Sequence, residues 1–482
     1  MPENPALTEP HLVPLCVDLD GTLVQSDTLV DSLFVFLRQH PGRFPALVAS
    51  LGRGKAGFKA FVTDAVQLDV LHLPYNKPLV NFLRDEHTRG RKLYLATGAD
   101  ERLAQRVAQH LPVFDGVFGS DGATNLTGKN KLDRLRSFIG SDRFGYVGNS
   151  QADLPLLKAA VEPMVANPSA GLTTSLKRLG IQPTQSFVQG RGLFASLLKA
   201  MRLHQWAKNL LIVLPLMLSH GLTPGRILAT LLAFLFFGLT ASGTYIINDL
   251  LDIEADRRHP RKSRRPFAAG DLSAFTGLGI TLLCLLVAFA GGARLLPPVY
   301  LAWLGLYLVT TLSYTAILKR IPLVDVLILS GLYTLRLQVG GAATGIEISH
   351  WLAGFSVFLF LSLAFVKRFA ELENLRASGL SPKNGRGYQI ADLEQLRVFG
   401  TASAFAAVVV FANYISGRDV TVLYRHPSLL WMVVPLMLLW LCRVWLLASR
   451  GELNEDPVVF AITDRMSLLI GLVAVTLVAL AI

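Results

Sequence analysis

The spacing of apolar and polar positions divides the chain into two parts. Residues 1–200 carry charged side chains throughout, whereas residues 205–482 contain repeated apolar runs of about 20 residues. A helical run of that length spans a hydrocarbon core about 30 Å thick. We therefore predict an all-α polytopic membrane domain of about nine transmembrane helices, at approximately residues 208–220, 226–247, 272–291, 297–317, 322–345, 350–366, 398–416, 428–447 and 466–482.

The first part of the chain alternates short apolar strands with helical patterns. Residues 13–17, 92–96 and 144–147 are predicted to be buried strands, and each is followed directly by small or polar residues. This arrangement is typical of a parallel, doubly wound α/β sheet with its site at the carboxyl edge. We expect a helical cap insert at about residues 25–90. The predicted domains are 1–180 and 201–482, joined by a linker at 181–200.

The chain is basic, with a formal net charge of +12. Its Lys and Arg residues lie mostly in loops beside the apolar runs, as expected near anionic lipid headgroups, so nucleic-acid binding is the weaker interpretation. The loops after even-numbered runs are the richer in these residues and are predicted to be cytoplasmic. We therefore expect a multi-pass protein of the inner (plasma) membrane with a cytoplasmic N-terminal domain and no secretory signal. The three widely separated cysteines predict neither a disulfide framework nor a zinc site.

An acidic segment closes the second apolar run. Asp249, Asp252 and Asp256 are spaced to share one helical face. Hard cations bind carboxylate and phosphate oxygens together, so this spacing predicts a Mg²⁺-bound diphosphate, with the three aspartates as catalytic metal ligands. The predicted substrate-binding residues of this segment are Asn248, His259, Lys262 and Arg265. Nearby arginines that could serve only as topology anchors are Arg257, Arg258, Arg261 and Arg264.

The segment Asp18-Leu-Asp-Gly-Thr resembles the first motif of the haloacid dehalogenase (HAD) superfamily. The resemblance implies that Asp18 is a nucleophile that forms an aspartyl-phosphate and that Asp20 is a general acid/base. It also implies phosphoryl binding by Thr97, Gly98 and Lys131, with Lys129 as the rival lysine, and Mg²⁺ binding by Asp18, Asp20, Asn149 and Asp153. The family usually has aspartate at the position of Asn149, so a HAD fold kept only for docking is the alternative.

The apolar runs and the acidic segment together resemble the UbiA superfamily of intramembrane prenyltransferases. The basic tail after Asp256 and the single aspartate Asp325 resemble the decaprenyl-phosphate phosphoribosyltransferase branch, because a second DxxxD pair is absent and Leu329 follows instead. That branch moves 5-phosphoribose from phosphoribosyl diphosphate (PRPP) to a polyprenyl phosphate and releases pyrophosphate. The further substrate-binding residues implied are Lys208, Asn209, Tyr314, Lys319, Asp325, Arg336, Lys367 and Arg368.

Alternatives remain open for both parts. The membrane domain could instead transfer a prenyl group from its diphosphate to an aromatic or other acceptor, or bind ligands without turnover. The HAD-like domain could dephosphorylate the lipid-linked product, hydrolyse a soluble sugar phosphate, or regulate its partner. Arg336 lies deep in an apolar run, where a partner or ligand phosphate is expected. Asp325 lies on the same helical face, so the two are expected to share a ligand cavity rather than a salt bridge.

Overall fold

A computed structural model describes residues 13–121, 124–139, 143–377, 386–453 and 457–482. The chain forms two compact units. The first contains the residues up to Met201 together with Tyr245–Ile280, and the second contains Arg202–Thr244 and Thr281–Ile482. The acidic segment therefore belongs to the same compact unit as the N-terminal α/β domain.

The α/β domain is built on a six-stranded sheet in the order β3-β2-β1-β4-β5-β6, and every pair in it is parallel. Its central strand is fully buried and has neighbours on both sides, so the carboxyl ends of β1, β2 and β4 meet at one edge. The predicted doubly wound α/β fold is confirmed. The strands are β1 Leu15–Val17, β2 Leu93–Asp100, β3 Gly116–Ser120, β4 Gly145–Gly148, β5 Glu162–Ala166 and β6 Gln185–Phe187.

Helices occupy the predicted cap region and the crossovers of this unit. The helical character of residues 25–90 is confirmed, although its last helix, α4, buries Leu79 and Leu83 in the same core as β1. The helices are α1 Thr28–Gln39, α2 Phe44–Ser50, α3 Gly54–Ala65, α4 Lys77–Thr88, α5 Glu101–His110, α6 Lys129–Ile139, α7 Leu154–Ala159, α8 Ala170–Arg178 and α9 Leu193–Met201.

The stretch at 181–200 differs from the expected linker. It holds the edge strand β6 and the helix α9. β6 pairs with β5 from Gln185 to Phe187, and the side-chain amide of Asn76 donates a 3.2 Å hydrogen bond to the Phe187 carbonyl. A three-residue edge strand carries too little periodicity to be found in the sequence. The stretch therefore belongs to the α/β domain rather than connecting it to the rest of the chain.

The remaining helices are long and apolar. Within the described residues, seven are long and apolar enough to cross a membrane: Pro224–Leu251, Ala274–Leu295, Pro298–Ala316, Val324–Thr344, His350–Ala377, Ile390–Ser416 and Pro427–Ser449. In order they contain α11 Pro224–Leu251, α13 Ala274–Leu295, α14 Pro298–Ala316, α15 Val324–Thr344, α16 His350–Ala377, α17 Leu393–Ser416 and α19 Val433–Ser449. The shorter helices are α10 Leu214–Leu218, α12 Ile253–Arg258, α18 Arg418–Thr421, α20 Pro457–Thr463 and α21 Arg465–Ala481.

The expected count of nine spans is therefore not confirmed, although the multi-pass architecture is. The first predicted run, 208–220, contains part of a 3₁₀ helix, Leu203–Ile212, followed by the five-residue α10. Pro215 lies in the first turn of α10. Proline has no backbone N–H, so it is tolerated in the first turn of a helix but disrupts the interior of one. The ninth run forms α21, which has only 17 residues.

The second unit packs its helices closely through glycine. A Cβ added at Gly400 of α17 would lie 2.1 Å from the Trp445 ring of α19. The indole N–H of Trp445 donates to the Ser362 hydroxyl at 3.0 Å, and that hydroxyl donates to the Gly400 carbonyl at 2.8 Å. Small residues permit such close approach where helices meet in membranes. This contact joins α16, α17 and α19 around one buried indole.

Candidate functional site

The carboxyl edge of the sheet holds a buried ionic network. Asp18 follows β1, and its Oδ1 accepts a 2.8 Å hydrogen bond from Lys131 Nζ of α6. The same ammonium lies 3.6 Å from Asp153 and donates to the Tyr146 hydroxyl at 3.0 Å. Lys129, at the start of α6, is exposed. The geometry therefore favours Lys131 over Lys129 as the charge beside the proposed nucleophile.

Tyr146 was not found from the sequence. Its hydroxyl donates a 2.8 Å hydrogen bond to Asp153 Oδ1, and it lies on β4 with its side chain fully buried. Asp153 Oδ2 accepts from the backbone N–H groups of Asn149 and Ser150. Burial alone would raise the pKa of Asp153, but Lys131 and these hydrogen bonds outweigh burial and hold the pKa below its usual value. Asp153 is therefore kept ionised.

Asn149 packs against the loop that carries the first motif. Gly21 in that loop has a φ of 72°, and a Cβ added there would lie 1.9 Å from the Asn149 Nδ2 atom. Glycine is required for both the backbone conformation and the close approach. The amide of Asn149 is thereby held next to the Asp18–Thr22 turn, where the HAD resemblance places a metal ligand.

Asp20 and Asp18 both carry raised pKa values. Burial, with the nearby charge of Asp27, raises the pKa of Asp20 to about 8, although its Oδ1 accepts a 2.8 Å hydrogen bond from the Thr28 N–H. Burial also raises the pKa of Asp18 to about 6 against the attraction of Lys131. A protonated Asp20 at neutral pH suits the predicted acid role, because a proton donor needs a pKa near the working pH.

A lysine from the cap region reaches this edge. Lys59 of α3 donates to the Gly98 carbonyl at 2.5 Å and to Asn125 Oδ1 at 2.8 Å. It helps to line a small cavity of about 70 Å³ that Asp20 also lines. Thr97, fully buried, accepts a 3.0 Å hydrogen bond from the Ala99 N–H. No motif marks Lys59 in the sequence, because its place depends on the folding of the cap.

The chemistry of the donor set fits Mg²⁺ at this edge. In the described part of the chain no three His, Cys, Asp or Glu side chains are gathered into a metal-binding group. However, Asp18 and the Asn149 amide provide oxygen ligands, and Mg²⁺ commonly takes few protein ligands and completes its shell with water and phosphate. Burial raises the pKa of Asp18, and a cation bound beside it would favour its ionised form.

The acidic segment is organised around Arg265. Its Nη1 lies 3.0 Å from Asp249 Oδ1 and 2.6 Å from Asp256 Oδ2, which brings the two buried carboxylates to one guanidinium nitrogen. Burial raises the pKa of Asp256 despite Arg265. Two buried carboxylates brought to one point provide the oxygen ligands that a divalent cation prefers. Asn248 lies one helical turn before Asp252, and the Asp252 backbone N–H donates a 3.0 Å hydrogen bond to the Asn248 carbonyl.

The basic tail after this cluster turns back on itself. His259 Nδ1 accepts hydrogen bonds from the backbone N–H groups of Arg261 and Lys262, at 3.2 and 3.4 Å. Burial, followed by the charge of Lys262, lowers the pKa of His259. His259 is therefore neutral at pH 7, with Nδ1 used by the turn and Nε2 carrying the proton, provided the turn is kept.

Two arginines in this tail bind the α/β domain within the same unit. Arg257 is buried, and its Nη1 lies 2.7 Å from Asp31 Oδ2 of α1, which is also buried. Its Nη2 donates to the Ser26 hydroxyl at 3.0 Å and its Nε to the Ala268 carbonyl at 3.1 Å. Its role is thus not limited to topology. The sequence gave no sign of this pairing, because Asp31 lies 226 positions away.

Two more ion pairs extend this contact. Arg258 Nε lies 2.6 Å from Asp69 Oδ2, and Arg38 of α1 lies 3.1 Å from Asp252 Oδ1. Burial opposes ionisation of Asp69, but hydrogen bonds from Arg258 and His72 outweigh it and lower the pKa of Asp69. Asp252, a predicted metal ligand, therefore has a protein partner that comes from the cap region.

In the second unit, Asp325 forms a buried network with Arg368. Asp325 is fully buried and receives two hydrogen bonds from Arg368, at 2.5 and 3.0 Å, and one from the Tyr314 hydroxyl at 2.8 Å. Arg368 also lies 2.7 Å from Glu371. Asp325 and Arg336 form no salt bridge among the described contacts, as expected, and their shared ligand cavity stays a prediction. The partner of Asp325 is Arg368, from a helix whose register the sequence could not give.

Arg336 occupies a different setting. It is buried; its Nε donates to Asn209 Oδ1 at 3.1 Å and its Nη1 to the Leu332 carbonyl at 2.5 Å. Its guanidinium carbon lies 5.2–5.6 Å from the ring centroids of three aromatic side chains, Phe237, Tyr307 and Tyr333. No carboxylate within salt-bridge distance is found among the described residues. The buried Nδ2 of Asn209 also lacks a hydrogen-bond partner in that part of the chain.

The other predicted cations of this unit are spread over several elements. Lys208 Nζ lies 5.7 Å from the Tyr333 ring centroid, which places it near the Arg336 group. Lys319 lies in the short turn Leu318–Arg320 between α14 and α15, and Lys367 lies next to Arg368 on α16. The predicted substrate-binding residues of the second unit thus fall into an Arg336 group, an Asp325 group and these two lysines.

Comparison with known proteins gives the family. A model described as the UbiA prenyltransferase family matches residues 210–471, more than half of the chain. Over 461 residues the chain is 36% identical to the uncharacterized protein y4nM of Sinorhizobium fredii, covering 95% of this chain and 89% of that protein. Over 232 residues it is 32% identical to decaprenyl-phosphate phosphoribosyltransferase of Mycobacterium tuberculosis, covering 47% of this chain and 76% of that enzyme.

The α/β domain has a counterpart among solved structures. A HAD-family hydrolase from Salmonella enterica serovar Typhi is 17% identical, with a TM-score of 0.26, over 36% of this chain and 68% of that chain. At this level of similarity the structure carries no argument. The HAD-like character of the α/β domain rests on its parallel strand order and on the motif at Asp18. The family of the whole chain follows from the model match and the relatives' identities: the chain belongs to the UbiA prenyltransferase family.

Proposed function

We propose that this protein transfers 5-phosphoribose from PRPP to a polyprenyl phosphate and releases pyrophosphate, and that its α/β domain then removes the 5-phosphate. The similarity to decaprenyl-phosphate phosphoribosyltransferase, whose name states the transfer of a phosphoribosyl group to decaprenyl phosphate, supports the first step. The observation that carries the proposal is Arg336: a buried guanidinium with no carboxylate partner among the described residues needs an anion, and a polyprenyl phosphate supplies one inside the membrane.

The acceptor site is assigned to Arg336 and Asn209. The unpartnered N–H group of Asn209 is a donor for a phosphate oxygen, and the guanidinium beside it supplies the opposite charge. Lys208 adds a second cation near one of the same rings, that of Tyr333. Together these side chains would orient the phosphate whose oxygen attacks the anomeric carbon of the donor.

The donor site is assigned to the acidic segment. Asp249, Asp252 and Asp256 would hold Mg²⁺, which neutralises the diphosphate and the charge that develops on leaving pyrophosphate. Arg265 already bridges two of these carboxylates and would keep them in place before the donor binds. The remaining donor contacts of this unit are assigned to Asn248, His259 and Lys262, while Lys319 and Lys367 stay predicted substrate-binding residues of the second unit.

The Asp325 group favours phosphoribosyl over prenyl transfer. Enzymes that resemble the aromatic prenyltransferase branch have a second pair of aspartates after the fourth span. In this chain that region has the single aspartate Asp325, which is enclosed by Arg368 and Tyr314. We assign Asp325 a positioning role, because its oxygens are already hydrogen-bonded. Prenyl transfer to an aromatic or other acceptor remains the second candidate, supported by the family itself.

The α/β domain is assigned phosphatase activity through an aspartyl-phosphate at Asp18. Lys131 offsets the charge of the nucleophile, and Asp20, with its raised pKa, protonates the leaving alcohol oxygen. Mg²⁺ would be held by Asp18, Asn149 and Asp153, and the phosphoryl group by Thr97 and Gly98, while the Asp20 carboxyl is kept for proton transfer. A regulatory role without catalysis is the rival, because Asn149 supplies a neutral ligand where a carboxylate binds more tightly.

The proposed function is tested with the purified full chain in detergent, supplied with Mg²⁺, PRPP and polyprenyl phosphate. Wild type should yield polyprenyl-phosphoryl ribose, while Asp18→Asn should accumulate the 5-phosphorylated lipid. Arg336→Gln should raise the KM for the lipid at least tenfold with a smaller change in the KM for PRPP. Identical products from wild type and Asp18→Asn would remove the phosphatase step, and an unchanged lipid KM would remove the acceptor assignment.

A further inference from the structure

A large polar cavity lies in the first unit. It has a volume of about 760 Å³, which is within the range of ligand pockets. One wall comes from the α/β domain and includes Gln25, Lys77 and Arg191; the other comes from the tail of the acidic segment and includes Arg264 and Asp271. None of the residues assigned above to metal, donor or acceptor binding lines it.

The wall of this cavity is positively charged. Lys77, Arg191 and Arg264 have no ion pair among the described residues, whereas Arg257, which also lines the cavity, is neutralised by Asp31. Asp271 is the one carboxylate in the lining that the structure describes, and its Oδ1 accepts a 3.3 Å hydrogen bond from the Arg191 backbone N–H. Three cations thus face one carboxylate, which leaves an excess of positive charge.

Nearby groups reflect the same field. Lys199 of α9 donates to the Arg264 carbonyl at 2.5 Å, and its pKa is lowered by burial and then by Arg191 and Arg264, against the attraction of Asp271. The positive charges of the two arginines disfavour a further positive charge on Lys199, so Lys199 lies in a region of positive potential. The field therefore extends beyond the three lining cations themselves.

The cavity wall is held in place by hydrogen bonds. The Lys77 N–H donates to Gln189 Oε1 at 2.6 Å, and the Gln189 N–H donates to Asn167 Oδ1 at 2.8 Å. On the opposite wall, Gly270 has a φ of 78°, and a Cβ added there would lie 2.5 Å from the Gln25 side chain. A preformed wall avoids the ordering cost of a flexible loop when a ligand binds.

We propose that this cavity binds a ligand that carries phosphate groups, through Lys77, Arg191 and Arg264. The ligand is either a free phosphorylated metabolite or the headgroup of an anionic lipid, since both present the same oxygens. The three cations of the lining can neutralise phosphate oxygens directly, so we expect binding here without a metal. That property separates this cavity from both candidate catalytic sites.

The test uses labelled inorganic pyrophosphate and the full chain in neutral-lipid nanodiscs containing EDTA. Wild type should bind about one equivalent, because the metal-dependent sites are silenced. The double variant Lys77→Ala/Arg191→Ala should bind at least tenfold more weakly. Its matched control is Lys158→Ala/Lys177→Ala, which removes two exposed charges from α7 and α8 and should bind like wild type. Circular dichroism verifies that both variants are folded.

A second arm separates the two sources of phosphate. Soluble dioctanoyl phosphatidic acid, kept below its micelle concentration, is titrated under the same conditions. If it binds with the same dependence on Lys77 and Arg191 while pyrophosphate does not, the ligand is a lipid headgroup; pyrophosphate binding supports a free metabolite. If neither probe binds, or if the Lys77→Ala/Arg191→Ala variant binds as tightly as wild type, the proposal is overturned.

Discussion

The buried pair between Arg257 and Asp31 offers a sharp test of how the acidic segment is held. Replacing Arg257 with Met leaves Asp31 buried, with a hydrogen bond from the Ser26 hydroxyl in place of its ion pair. Removing one partner of a buried pair costs about 3–5 kcal/mol, because the remaining charge is desolvated and uncompensated. Three kcal/mol corresponds to a factor of roughly 10² in a local opening equilibrium.

The assay is hydrogen exchange of peptides from α1 and α12. Arg257→Met should accelerate exchange there about a hundredfold or more, and the double variant Arg257→Met/Asp31→Leu should recover most of the protection, since no charge is left buried. Arg261→Met is the control, because Arg261 is an exposed arginine of the same tail. Tryptophan fluorescence is uninformative for this unit, whose sequence contains no tryptophan. Equal exchange in the Arg257 and Arg261 variants would refute the reasoning and leave both as topology anchors.

Three further predictions follow from the packing and charge of single residues. Lys131→Met should reduce phosphatase activity on a generic phosphate ester at least a hundredfold, whereas Lys129→Met should change it less than threefold; equal losses would contradict the assignment. Gly400→Ala should lower stability by about 1–3 kcal/mol through contact with the indole ring, seen as a lower melting temperature, whereas Gly471→Ala, which meets nothing within 4 Å, should not. Because the folded pKa of Asp69 is depressed by its contact with Arg258, the stabilisation that this pair gives is full above the unfolded pKa of about 3.9. It is lost as the pH falls through the folded pKa. Protease resistance of the basic tail that does not change between pH 5 and pH 3 would oppose this.

The strands that border the α/β site could be predicted because they are short apolar runs followed by conspicuous polar residues. Asp18 and Asn149 stand directly after such runs, and parallel strands bring their carboxyl ends together. Tyr146 and Lys59 could not be found, because a tyrosine in a strand and a lysine in a cap helix have no signal of their own. Their roles depend on which elements pack together.

In the membrane part, too, local features could be predicted from the sequence and long-range contacts could not. Apolar runs predicted most of the spanning helices, since length and hydropathy are local properties. The partner of Asp325 is not local: the choice between Arg368 and Arg336 depends on how α15 and α16 are rotated against each other, and periodicity cannot give that angle. The first predicted run illustrates a further gap, because a new helix begins beside Pro215 although residues 210–218 are apolar throughout.

The most direct test of the central claim is a balance of labels from doubly labelled PRPP. The donor carries ¹⁴C in its ribose and ³²P in its β-phosphate, and the purified full chain receives it with polyprenyl phosphate and Mg²⁺. The account predicts ¹⁴C in the lipid fraction and an equal amount of ³²P in soluble pyrophosphate, with both lost in Asp249→Asn. A lipid fraction without ¹⁴C, together with product formation from a prenyl diphosphate and an aromatic acid, would contradict it.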